Sequence, residues 1–184
     1  MTTGFTNSNF DADSYVKQRP RYQQLNVELV KAWHKQGGGS FDTVLDMGCG
    51  PGWFFGAGFS HPLLGRKTNE RPLSPHSSQG NFSWQLTSAF RNVIGLDPSP
   101  SMLQSARSGH TPRILGISTE LPDGHSVDFK EGVGEDTKLP DGIADCITMA
   151  TSAHWLPWEK DPSGEGIWRE IGRLLKPGGS SIFL

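Results

Sequence analysis

The apolar residues of this chain come in short blocks whose spacing alternates between two periods. Leu25, Leu29, Val30 and Trp33 recur at helical spacing and predict an amphipathic helix over 23–36, stopped by Gly37-Gly38-Gly39. A compact apolar run at 43–47 predicts a strand, and 92–97 predicts a second. Ser99 is placed to N-cap a helix with Pro100 at its first position, carrying Met102, Leu103 and Ala106 to about 108. A weak strand follows at 126–131 and a fourth strand at 144–150. Ile167, Ile171, Leu174 and Leu175 stripe a last helix that starts at Asp161 or Ser163 and is ended by Pro177-Gly178-Gly179. Residues 180–184 begin a fifth strand. Strands alternating with helices imply a parallel α/β sheet with right-handed crossovers.

Two stretches do not fit this rhythm. Residues 1–14 are polar and read as a flexible leader. Residues 58–84 are rich in Ser, Pro, His, Asn and Gly and show no period, so they read as a disordered insertion, with a functional lid as the alternative. Gly (23) and Pro (13) together make about a fifth of the chain, against an average of roughly 12%.

The remaining composition narrows the class. At 184 residues a single domain is expected. The formal net charge of −2 gives nucleic acid no electrostatic support. No apolar run approaches the roughly 20 residues of a membrane span, and the N-terminus lacks a signal-peptide core. Two cysteines, Cys49 and Cys146, make no disulfide framework, and no Cys/His cluster has metal spacing. A cytoplasmic protein with no metal, no nucleic-acid partner and no membrane partner is the expectation; the oligomeric state is left open.

The candidate chemistry sits where the strands end. Asp46-Met47-Gly48-Cys49-Gly50-Pro51-Gly52 closes the first strand, and Trp53-Phe54-Phe55 could open a helix beyond it. Glycines let backbone approach a ligand, and a helix start offers unpaired N–H groups. The spacing departs from the dinucleotide fingerprint, and the Gly-Lys-Ser/Thr of a P-loop is absent. A nicotinamide-dependent oxidoreductase is thereby disfavoured. The acid at the strand end suits a cationic or hydroxylic ligand group. Asp46, Asp97, Glu135 and His154 follow strands one to four in turn, at the edge where open α/β sheets bind ligands. Cys49 reads as a small buried filler rather than a nucleophile.

These segments resemble the class I S-adenosylmethionine-dependent methyltransferases. The glycine loop looks like their motif I, and Val93-Ile94-Gly95-Leu96-Asp97-Pro98-Ser99 like their second strand with its ribose-binding acid. Ala153-His154-Trp155 and Leu174-Leu175-Lys176-Pro177-Gly178-Gly179 are similar to the segments after strand four and before strand five. Tyr15, Arg19, Pro20 and Tyr22 resemble the N-terminal segment of the trans-aconitate methyltransferase-like group. The resemblance covers roughly residues 15–56 and 86–184, a methyltransferase domain over 15–184 interrupted by the insertion.

The resemblance implies a Rossmann-like class I sheet, mostly parallel, with S-adenosylmethionine as cofactor. It places Asp46 near the methionine moiety and Gly48, Gly50 and Gly52 under the cofactor. It gives Asp97 the ribose hydroxyls, Met102 the adenine side, and Gly134 and Glu135 the adenine edge. Ala150 and Thr151 would face the methyl group, and Tyr15, Arg19 and Tyr22 would close the site. The implied reaction is methyl transfer to a small-molecule acceptor, a carboxylate or a hydroxyl. His154 is the candidate catalytic base for a hydroxyl, with a wall or packing role as its alternative.

Two departures from the family pattern bear on function. Motif I and the ribose acid are ordinarily about 20 residues apart, whereas Gly52 and Asp97 are 45 positions apart. Joining 55–56 to 87–90 is expected to restore an ordinary crossover. The family sheet also adds further strands after the fifth, so the chain reads as truncated at strand five. The alternative function is then a non-catalytic relative that at most binds the cofactor.

Overall fold

The computed structural model describes residues 24–50, 82–108, 120–158 and 165–184. In chain order these form α1 (Gln24–Gln36), β1 (Thr43–Met47), α2 (Phe82–Leu86), β2 (Asn92–Asp97), α3 (Pro100–Ser108), β3 (Ser126–Glu131), β4 (Ala144–Met149), a 3-10 turn (Ala153–Trp155), α4 (Glu165–Leu174) and β5 (Leu175–Phe183). The strands make one sheet in the order β3-β2-β1-β4-β5. Every pairing within it is parallel. The sheet is therefore wholly parallel where the sequence predicts a mostly parallel one.

Burial follows from that topology. β1 and β4 are buried at every position, as expected for central parallel strands covered on both faces. Side chains alternate between two cores. One holds Val44, Val93 and Cys146 with Val27 and Val30 of α1 and Phe82 and Leu86 of α2. The other holds Leu45, Met47, Ile94, Leu96, Ile147 and Met149 with Ile167, Ile171 and Leu174 of α4. The outer strand β3 is mostly exposed and charged, which discourages edge-to-edge pairing.

Four local outcomes differ from the sequence prediction. The buried face of α1 is Val27, Val30 and His34, while Leu25 (60%) and Trp33 (51%) are exposed. His34 can be buried because both ring nitrogens are satisfied, Nδ1 by Ser180 Oγ and Nε2 by the carbonyl of Ser40, each at 2.7 Å. Second, the last three residues of the expected insertion, 82–84, are helical, and Phe82 and Ser83 are buried. The rest of that stretch up to 81 lies outside the described residues, as do the leader 1–14 and the helix start at 53–55.

Third, the helix Phe82–Leu86 lies ahead of the expected join at 87–90. Fourth, α4 ends at Leu174, and Lys176-Pro177-Gly178-Gly179 bulges out of β5 rather than preceding it. Ala144 pairs with Leu175, and Cys146 with Ser180 after the irregularity, with Gly178 at φ +80°. β5 is thus a nine-residue strand rather than a barely formed one.

Candidate active site at the carboxyl ends of the strands

The parallel sheet brings the ends of β1, β2 and β4 together, and the glycine loop is stitched across them. The N–H groups of Gly48 and Cys49 donate to the Leu96 carbonyl at 2.7 and 3.0 Å. The Gly50 N–H donates to Asp97 Oδ2 at 2.8 Å, and the Ser99 N–H to Asp97 Oδ1 at 2.9 Å. Asp97 is thus both the acid at the end of β2 and the anchor of the loop. Ser99 caps α3 as its sequence predicts, its Oγ accepting the Met102 N–H at 3.4 Å. Gly48 and Gly50 have φ of +74° and +61°, in the left-handed region that glycine enters without penalty. Among the described residues a Cβ at Gly50 would meet nothing within 4 Å, whereas one at Gly48 would strike Ser152 Cβ at 2.5 Å. Gly48 accommodates Ser152.

Asp46 is 2% exposed and lies beside Thr148 in the β1–β4 register. Thr148 Oγ1 donates to its Oδ1 at 3.0 Å, and Ser83 Oγ donates to its Oδ2. Burial pushes its pKa from the ordinary 3.8 up to about 6. The two hydroxyl hydrogen bonds pull against that rise and Asp97 adds to it. Burial likewise raises the pKa of Asp97, against the hydrogen bonds from Ser99 and Gly50. No cation among the described residues contributes to either shift. Two buried carboxylates without a positive partner are costly unless a cation or hydroxyl donors arrive from outside.

The other residues singled out from sequence differ in burial and surroundings. Met102 is buried in α3. Gly134 is wedged between Leu156 and Met47, where a Cβ would come within 2.4 Å of Leu156 Cδ2. Glu135 is exposed between Val133 and Asp136, which bridge to each other. Ala150 is buried at the end of β4. Thr151 adopts φ +50°, an uncommon conformation for a β-branched residue, and its N–H donates to the Leu184 carbonyl at 2.8 Å. His154 is exposed and tilts against Trp155 with ring centroids 4.6 Å apart. Tyr15, Arg19, Tyr22 and Gly52 lie outside the described residues.

Cys49 is half-buried rather than buried, and desolvation raises its thiol well above the ordinary range. Among the described residues no group of His, Cys, Asp and Glu is arranged to hold a metal ion. No described helix is long and apolar enough to cross a membrane.

Three polar residues at the site escape the sequence reading. Ser83 lies in a stretch without period, although Phe82, Leu86 and Phe90 at i, i+4 and i+8 betray a helix there. Thr148 is one of two polar residues in β4, with Asp145, and lies opposite Asp46 once the strands are aligned. Ser152 donates to the Met47 carbonyl at 2.6 Å and so ties the segment after β4 to the glycine loop. No sequence signal marks it.

Comparison with known proteins places this geometry. A family model described as "Methyltransferase domain" matches residues 77–183, more than half of the chain. The chain is 23% identical over 183 residues to the "Probable S-adenosylmethionine-dependent methyltransferase CRG1" of Saccharomyces cerevisiae, covering 98% of this chain and 47% of the yeast protein. An S-adenosylmethionine-dependent methyltransferase of Clostridium acetobutylicum superposes with a TM-score of 0.55 at 18% identity, over 85% of this chain and 48% of that one. The YcgJ protein of Bacillus subtilis superposes with a TM-score of 0.53 at 20% identity, over 88% and 50% respectively. These similarities show a shared fold, and the chain spans about half the length of the relatives it matches. The family match over residues 77–183, which takes in β2 to β5 and Asp97, shows that the chain belongs to the methyltransferase-domain family.

Proposed function

We propose that this chain binds S-adenosylmethionine at the carboxyl ends of β1, β2 and β4, and that the protein transfers its methyl group to a small-molecule acceptor. The observation that carries the reading is the pair of buried carboxylates, Asp46 and Asp97, joined by a glycine loop. The donor set fits the cofactor. Each Asp97 oxygen accepts one backbone N–H and keeps further lone-pair capacity, as a ribose with two hydroxyls requires. Asp46 lacks a cationic partner among the described residues, and the cofactor's ammonium group would supply one.

S-adenosylmethionine supplies a methyl group already activated by a sulfonium charge, so the protein contributes mainly position and exclusion of water. Asp97 fixes the loop and would receive the ribose. Asp46 would orient the amino-acid end. Gly134 and Glu135 would border the adenine beside Met102, and Ala150 and Thr151 would lie nearest the transferred group, where Thr151 holds its constrained backbone. Tyr15, Arg19 and Gly52 complete the expected contacts. Within the family we place the chain nearest the trans-aconitate methyltransferase-like group, with a carboxylate or hydroxyl acceptor. His154, exposed beyond β4, is the base we propose for a hydroxyl acceptor.

Calorimetric titration with S-adenosylhomocysteine tests the binding half, and mass-spectrometric screening of acceptors with S-adenosylmethionine tests the transfer half. Binding with no methylated product from any acceptor would reduce the reading to cofactor binding alone. His154→Ala is expected to lower turnover at least tenfold on a hydroxyl acceptor without changing cofactor affinity. Unchanged turnover would make His154 a wall.

A further inference from the structure

Two hydroxyls converge on Asp46 from different elements, Thr148 from β4 and Ser83 from α2. Both residues are fully buried. Thr148 lies between Ile147 and Met149 in a strand buried at every position, where valine has the same shape and better apolar character. We propose that Ser83 and Thr148 are positioning residues that hold the Asp46 carboxylate ionised and fixed in orientation for the cationic end of the ligand, a role that rests on the cofactor reading above.

An ionised carboxylate only accepts hydrogen bonds, and a hydroxyl has a single proton to give. Each Asp46 oxygen receives one such proton, which stabilises the charged form and leaves one lone-pair direction per oxygen for an incoming donor. Among the described residues three titratable groups lie around Asp46. Asp97 at the end of β2 raises the pKa of Asp46, while Cys49 in the loop and Cys146 in β4 are thiols whose own pKa values burial raises. The described residues of α2 contribute no titratable group. The hydroxyls are therefore what opposes burial and the neighbouring charge before ligand arrives.

The test uses the full chain. The Asp46 carboxyl carbon is followed by NMR as pH is varied without ligand, and S-adenosylhomocysteine affinity is measured by calorimetry from about pH 5 to about pH 8. Ser83→Ala and Thr148→Val are each expected to raise the Asp46 midpoint by about one pH unit, and Ser83→Thr and Thr148→Ser to restore it. Because only ionised Asp46 would engage the ligand, affinity of the first two variants should fall about tenfold near pH 5 and approach the wild type near pH 8.

An unchanged midpoint in folded variants overturns the proposal. So does an affinity loss of the same size at every pH, which is the mark of a merely structural role. Displaced midpoints in a chain that binds no ligand would support the hydroxyl clamp and overturn the cofactor reading. If Ser83→Ala fails to fold, the Thr148→Val and Thr148→Ser pair decides.

Discussion

Asp46 has opposite effects on folding and on ligand binding. Its pKa in the folded chain, about 6, lies above the ordinary 3.8. The folded state therefore holds this proton more tightly than the unfolded state, and Asp46 makes the ligand-free protein less stable as pH rises from about 4 to about 6. The cost above that window is on the order of 3 kcal/mol. Asp46→Asn should raise the ligand-free stability at neutral pH by about 1–2 kcal/mol and abolish cofactor binding, read by denaturant melts and calorimetry. Equal or lower stability in the variant would mean that the carboxylate is not strained by burial.

Glu170 has the opposite sign. Arg173 beside it, with the Thr137 hydrogen bonds acting against burial, lowers its pKa from 4.5 to about 2. Its contribution is present above pH 4.5 and is lost as pH falls toward 2. Glu170→Gln should lower stability at pH 7 by about 2 kcal/mol and flatten the acid limb below pH 4.5. An unchanged acid limb would contradict the assignment. Both carboxylates are plain in the sequence, but their partners are not, because Ser83, Thr137 and Thr148 acquire meaning only from strand register and helix docking.

At the scale of elements, the first four strands and the helices 24–36 and 100–108 were legible within a residue or so, because a buried parallel strand leaves a continuous apolar run and a capped helix leaves its Ser-Pro start. What the sequence hid was polar burial and the crossover. His34 lies on the buried face of α1 because Ser180 and Ser40 satisfy it, and no periodicity rule counts a satisfied histidine as apolar. Gly39 belongs to the same arrangement, since a Cβ there would fall 2.0 Å from the His34 ring.

The helix α2 was obscured by the unpatterned sequence before it, although Ser83 on Asp46 and Gly50 on Asp97 fix both flanks of that stretch at the same edge of the sheet. A chain with 58–80 deleted should keep the strands and bind S-adenosylhomocysteine at least as well. Shortening the loop should also add about 1–2 kcal/mol of stability. Loss of the cooperative melt in the deletion would show that the stretch is needed for folding.

The whole molecule is organised to bring β1, β2 and β4 to one edge, and the site is the product of that topology rather than of any one motif. Family membership was legible because the strand-end residues occur in the order that a 3-2-1-4-5 sheet requires. The anchoring of the loop on Asp97 was not, because that role arises only when the Gly50 and Ser99 N–H groups are folded onto one carboxylate.

Asp97 is accordingly where the account is most exposed to test. Calorimetric titration of the folded chain with S-adenosylhomocysteine, beside Asp97→Ala, should give one-site binding that the substitution weakens at least a hundredfold. The absence of binding to the folded wild-type chain, or undiminished binding by Asp97→Ala, would contradict it.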